Sequence, residues 1–217
     1  MKLLTQSVSR KSLLAVAALT VTLSACSGDE QQKPTLSAAQ VCASTLDESA
    51  TAALERMGNT KNFRENYRGT PEGFSLASVA RTLHDDATRR TGCFVYKADD
   101  DSGHPLVDVD FSATAMHAKP NSPSEAADPD SIFYPIGLYA KTQSTNSATL
   151  YFACSTRDGN TETPYVKATL YSSPDQVSTK ANGKDIMTIL NAMSRALSRH
   201  LGCESEAALP PQVTVGN

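Results

Sequence analysis

Apolar residues recur at helical spacing in three stretches of the chain and alternate with polar residues in several others, so two periods divide it into helices and strands. Leu46, Ala50, Ala53, Leu54 and Met57 form the first helical stripe, which Gly58-Asn59 ends. Two starts are open to it. Ser37 stands three residues before Gln40, with Leu36 and Val41 placed to meet, as in a capping box with a hydrophobic staple. Thr45-Leu46-Asp47-Glu48 is the other. Ser75 caps the second stripe of Leu76, Val79, Ala80, Leu83 and Ala87, and Asp185 to Leu201 carries the third on Ile186, Ile189, Leu190, Met193 and Leu197.

Strand patterns fall between the second and third helices. Cys93 to Lys97 and Leu106 to Thr114 flank the turn Asp99 to Pro105 and read as a hairpin; Val107, Val109, Phe111 and Ala113 alternate with Asp108, Asp110, Ser112 and Thr114. Ile132 to Lys141, Thr149 to Cys154 and Pro164 to Tyr171 read as three more strands. Leu150, Phe152 and Cys154 share one face, which places Cys154 inward. Residues 117–131 hold three prolines and no apolar period, and a loop of this length is a candidate for recognition. The order predicts an α+β fold, a largely antiparallel sheet of about five strands covered by three helices. It spans a single domain over 36–203, with 26–35 as a polar, flexible tether and 204–217 as a disordered, frayed tail.

The N-terminus carries an address. Lys2, Arg10 and Lys11 precede an apolar run from Leu13 to Leu23, too short for a span that needs about 20 residues. Leu23-Ser24-Ala25-Cys26 resembles a bacterial lipobox. That resemblance implies a lipoprotein signal peptide over 1–25, a lipid on the Cys26 thiol and a chain held on the extracytoplasmic face of the cell membrane. Loss of residues 1–25 leaves 17 basic against 23 acidic residues, a net charge of −6, which argues against nucleic acid and anionic lipid surfaces as partners.

Four further cysteines, Cys42, Cys93, Cys154 and Cys203, suit two disulfides in an oxidising compartment and are spaced too widely for a metal site. Four cysteines allow three connectivities. Ser75 to Cys93 aligns with Asp185 to Cys203 without a gap, each a helix stopped by glycine and followed by cysteine, and this local similarity favours Cys42–Cys93 with Cys154–Cys203.

Catalytic chemistry leaves no trace. The chain has no G-x-S-x-G, H-E-x-x-H, phosphate loop or G-x-G-x-x-G, and no cofactor is implied. His84, His104, His117 and His200 are scattered through a helix, a turn, a loop edge and a helix end. The acidic turn Asp99-Asp100-Asp101-Ser102-Gly103 fails the calcium-loop spacing, because its glycine comes one position early and no glutamate follows where a bidentate ligand is needed. Tyr165, Lys167, Thr169 and Tyr171 alternate away from Val166, Ala168 and Leu170, and Tyr151 does so beside Leu150 and Phe152. Tyrosines on a wet sheet face offer apolar area at low rotamer cost and suit sugars or protein partners, so Tyr151, Tyr165 and Tyr171 are the candidate binding residues.

The lipobox, the run from Val41-Cys42 to Met57-Gly58, the later helix-Gly-Cys and the alanine-rich composition together resemble the uncharacterised cell-surface lipoproteins of actinobacteria. The resemblance implies an anchor and an extracytoplasmic domain and brings no catalytic residues. The expected function is that of a non-enzymatic binding or accessory module for a protein or cell-wall partner. The alternatives are a small extracytoplasmic hydrolase or wall-modifying enzyme whose site is assembled from distant residues, and a solute-binding lipoprotein.

Overall fold

Strands β1 (Phe63–Arg68), β2 (Gly92–Lys97), β3 (Val107–Thr114), β4 (Ser131–Phe133), β5 (Tyr139–Gln143), β6 (Ser147–Asp158) and β7 (Thr161–Tyr171) form one sheet in the order β1-β2-β3-β7-β6-β5-β4. Every neighbouring pair is antiparallel. Two meanders, β1 to β3 and β4 to β7, meet at the β3–β7 pair in the middle of the sheet. The helices are α1 (Glu48–Gly58), α2 (Leu76–Thr82), α3 (Gly183–Leu201) and the single-turn α4 (Glu204–Ala207). The computed structural model describes residues 35–69, 73–119 and 130–215, all within the contact unit Lys33–Asn217. The signal-peptide segment, Cys26, most of the tether and residues 120–129 of the proline-rich loop lie outside the described residues.

The fold is α+β, with seven strands where the pattern suggests five. β1 is missed because Phe-Arg-Glu-Asn-Tyr-Arg shows no alternation; only Phe63 of the six residues is buried, as suits an edge strand. Ile132 to Lys141, read as one strand, is two. Pro135 has no N–H to give the ladder, and Gly137 takes a φ of 59° where a Cβ would lie 2.4 Å from the Tyr151 carbonyl oxygen. The connection then re-enters the sheet through the Leu138 N–H, which donates to that carbonyl at 2.7 Å.

Cys93, Val95, Val109, Phe111, Leu150, Phe152, Val166, Ala168 and Leu170 point inward and are at most 1% exposed. They share one core with Ile186, Ile189, Leu190, Met193 and Leu197 of α3, and α1 packs on α3 through Ala50, Ala53, Leu54 and Met57. Each Val, Leu, Ile, Phe or Met among them contributes about 1.5–3 kcal/mol of transfer free energy, enough to make this layer the main stabilising feature. A capping box starts α3: the Asn182 side chain accepts from the N–H groups of Lys184 and Asp185 at 2.9 and 3.2 Å, and Asp185 Oδ2 accepts from the Asn182 N–H at 3.0 Å. Asp185 also meets Arg56 of α1, Nη2 to Oδ1 at 2.6 Å, so one carboxylate both caps α3 and ties it to α1.

Disulfides join Cys42 to Cys93 and Cys154 to Cys203, with Cα separations of 5.7 and 5.3 Å. The pairing is the one favoured by the repeated helix-Gly-Cys, although only the second copy has that geometry. Gly202, at φ 77°, closes α3 and turns Cys203 toward Cys154 on β6. In the first copy α2 stops at Thr82, whose Oγ1 accepts from the Thr91 N–H at 2.9 Å, and Gly92-Cys93 opens β2. The second start wins for α1, where Asp47 Oδ1 accepts from the Ala50 N–H at 3.0 Å. Gln40 does reach back to the Ser37 N–H at 2.9 Å, yet Cys42, Ala43 and Ser44 are left-handed at φ 48°, 57° and 56°, and no right-handed helix passes through them.

The C-terminal segment read as a frayed tail is packed as far as residue 215 describes it. Ala207 and Val213 are 3% and 4% exposed, and Asn191 Nδ2 donates to the Pro210 carbonyl at 2.9 Å. Its few apolar residues find a place only because the Cys154–Cys203 bridge holds the segment against β6 and α3.

Candidate functional site

The face of the sheet turned away from the helices follows from the register. Phe94 on β2 pairs with Asp108 on β3, which pairs with Tyr171 on β7; Tyr171 pairs with Ser147 on β6, and Ser147 with Gln143 on β5. Two rows over on the same face, Lys167 on β7 stands opposite Tyr151 on β6, and Tyr151 opposite Tyr139 on β5. Phe133 on β4 pairs with Lys141 of β5 on the same face. Phe94, Tyr96, Phe133, Tyr139, Tyr151, Tyr165 and Tyr171 therefore share this face, a majority of the chain's 7 Tyr and 6 Phe. Tyr171 is 48% and Phe133 36% exposed, whereas Tyr139, between Phe133 and Tyr151, is only 5% exposed. A wet face carrying most of the aromatic residues is unlike an ordinary solvated sheet surface and is the candidate site.

Its two halves differ in electrostatics. On β1 to β3 the cations are neutralised by neighbours. Arg90 donates from Nε and Nη2 to Asp110 Oδ2 at 3.0 and 2.8 Å, Arg68 Nη2 reaches Asp110 Oδ1 at 3.3 Å, and Arg64 donates to the Asp100 carbonyl and approaches Asp101 at 3.4 Å. Burial pushes the Asp108 carboxyl up against the pull of Arg68, and it pushes the Tyr96 hydroxyl up with Asp108 beside it. On β5 to β7 Arg157 pairs with Glu162 at 3.0 Å, while two lysines lie over rings, as Arg68 does over Phe94: Lys167 Nζ is 5.8 Å from the Tyr151 ring centre and Lys141 Nζ 5.9 Å from that of Phe133. Tyr139 stands edge-on to both Phe133 and Tyr151, at 5.9 and 5.8 Å. A cleft of about 230 Å³ opens here, floored by Tyr139, Lys141, Thr149, Tyr151 and Lys167 and walled by Ala118.

No protein family, curated protein or solved structure matches the chain. The site therefore rests on its own geometry. Of the three tyrosines singled out in the sequence, Tyr151 lines the cleft, Tyr165 lies diagonal to it and takes the His117 ring edge-on at 4.9 Å, and Tyr171 stands at the opposite end of β7. His117 and Ala118 bring the start of the proline-rich loop onto this face. Phe133, Tyr139 and Lys141 are absent from the sequence reading because the break at 134–138 hides which face each residue takes. Phe94 and Tyr96 were not singled out either, although their alternation with Cys93 and Val95 assigns them to this face.

The other candidates are spoken for. His104 Nδ1 meets Asp175 at 2.7 Å, an exposed pair in which each partner raises or lowers the other's pKa in the direction of charge. In the acidic turn the Asp100 carboxylate accepts from Ser102 Oγ at 2.5 Å, and Ser102 Oγ accepts in turn from Gln176 Nε2 at 3.1 Å. Among the described residues, one group of three has metal-ligand atoms drawn together, Cys42, Glu65 and Cys93, and its two sulfurs are bonded to each other. Glu65 Oε2 accepts from the Cys42 N–H at 2.5 Å, while burial pushes its carboxyl up, so it acts as a cap on the left-handed turn.

Proposed function

We propose that the chain is a lipid-anchored extracytoplasmic binding module that meets its partner, a protein or a cell-wall component, on the aromatic face of the sheet. The observation that carries this reading is the concentration of seven aromatic side chains on the one sheet face that the helices leave open. Two disulfides suit an oxidising compartment, and Leu23-Ser24-Ala25-Cys26 supports lipidation at Cys26. No helix among the described residues is long and apolar enough to cross a membrane, so in this reading the lipid is what holds the domain at the surface.

Two experiments test it. Growth with radiolabelled palmitate labels the protein and leaves Cys26→Ser unlabelled and released from membranes; a variant that stays membrane-bound overturns the anchor. A photoreactive phenylalanine analogue placed at Tyr171 on intact cells yields one recurrent adduct, and the same analogue at Thr188 on α3 yields none. Adducts from both positions alike, or from neither, overturn the face as the binding surface.

A further inference from the structure

The two halves of the open face are not equivalent, and the difference names a ligand class. The β1 to β3 half holds arginines already paired with Asp110, Asp100 and Asp101. The cleft over β5 to β7 is lined by two lysines, two tyrosines and the small polar side chains of Gln143, Ser147 and Thr149, with no carboxylate among its described lining residues. Lys167 in particular has its ring contact with Tyr151 and no ion pair among the described residues. In a chain whose expected mature charge is −6, Lys167 is a local point of positive charge, and it complements an anion.

The shape narrows the anion. At about 230 Å³ the cleft falls below the range of roughly 300–1,000 Å³ typical of sites for whole drug-sized ligands, so it takes one ring of a larger molecule. An aromatic wall beside amide and hydroxyl groups fits a pyranose, whose C–H face lies on the ring while its hydroxyls bond to Gln143, Ser147 and Thr149. The backbone here offers little to a phosphate or to an extended peptide. β6 lies between β5 and β7 with its N–H and C=O groups in the ladders, so neither a nest of amides nor a strand edge faces the cleft. Lys167 is a single point charge suited to one carboxylate.

We propose that this cleft is a subsite for a uronic-acid-type sugar, a pyranose carrying a carboxylate, with Tyr151 as the stacking platform and Lys167 as the counter-charge. The proposal rests on the open face being the binding surface. Calorimetric titration of the full chain in detergent with trigalacturonate, galactotriose and triglutamate tests it. Trigalacturonate binds at least about tenfold more tightly than the other two, as an unpaired charge at a partly desolvated site gives. Lys167→Gln erases that preference and Lys167→Arg keeps it; Tyr151→Ala weakens both sugars; Thr188→Ala, on α3 and away from the open face, changes neither. Equal affinity for galactotriose, tighter binding of triglutamate, an unaltered preference in a folded Lys167→Gln protein, or no binding of any of the three up to about 10 mM overturns the subsite. A single Tyr171 photo-adduct alongside such a result leaves the face as a binding surface and removes only the sugar.

Discussion

The two faces of the sheet use the same strands and nearly the same number of large side chains for opposite ends. On the inner face Phe111, Leu150, Phe152, Val166 and Leu170 are at most 1% exposed beneath α3. On the outer face Tyr171 and Phe133 stay 48% and 36% exposed, and Lys141 and Lys167 lie over aromatic rings. The aliphatic side supplies stability through removal of area from water. The outer side holds five tyrosines among its seven rings, and their polar tips tolerate water while the rings present area to a partner. The contrast teaches that stability and recognition are separable in this chain, and mutations sort by the face they touch.

The sharpest way to break the inner face is Phe152→Ala, which leaves a cavity in fully buried surroundings; urea unfolding then shows a loss of about 3–5 kcal/mol. Removal of the Cys154–Cys203 bridge as a double alanine variant costs about 3–4 kcal/mol, because its sequence separation of 49 leaves a long loop unconstrained in the unfolded chain. In that variant the segment holding Val213 loses its tether, and proteolysis in 204–215 appears before global unfolding. On the outer face Tyr171→Ala shifts the unfolding free energy by no more than about 0.5 kcal/mol, as a surface change away from any network does. If Tyr171→Ala destabilises as much as Phe152→Ala, the faces are not separable.

The smallest effect belongs to neither face. His104, beside Asp175, has its pKa raised by that hydrogen bond and charge, and Asp175 has its own lowered. A raised histidine stabilises the fold below its unfolded pKa of about 6.5 and ceases to do so as pH rises through its folded value. A lowered carboxylate stabilises above its unfolded value and ceases to as pH falls through its folded one. Their joint contribution is therefore largest in mildly acidic solution. His104→Gln lowers the urea midpoint at about pH 5.5 and leaves it unchanged at about pH 8.5, with a small difference because both side chains are more than half exposed.

Where period and chemistry coincide, the chain was legible. The stripe Ile186, Ile189, Leu190, Met193 and Leu197 became α3, and the alternation of Val107, Val109 and Phe111 became β3. Tyr151, Tyr165 and Tyr171 share the face that their parity assigns. Failures came where a local signal lost to its surroundings. The capping pattern at Ser37 and Gln40 made its hydrogen bond without a helix, because the bridge to Cys93 and the cap from Glu65 hold the next residues left-handed. The tail after Cys203 carries too few apolar residues to show a period, and its burial depends on a partner 49 residues earlier.

Periodicity, the cysteine complement and the absence of known catalytic motifs are properties of neighbouring residues, and the α+β class and two disulfides follow from them. Which strands adjoin is a property of pairs far apart in the chain. Only the folded sheet sets β7 between β3 and β6, and so brings Tyr139, Tyr151 and Lys167, from three different strands, into one row. Side-chain parity is readable along one strand, but a break such as Pro135 to Gly137 resets it, and the ladder hydrogen bonds then decide which way the next strand faces.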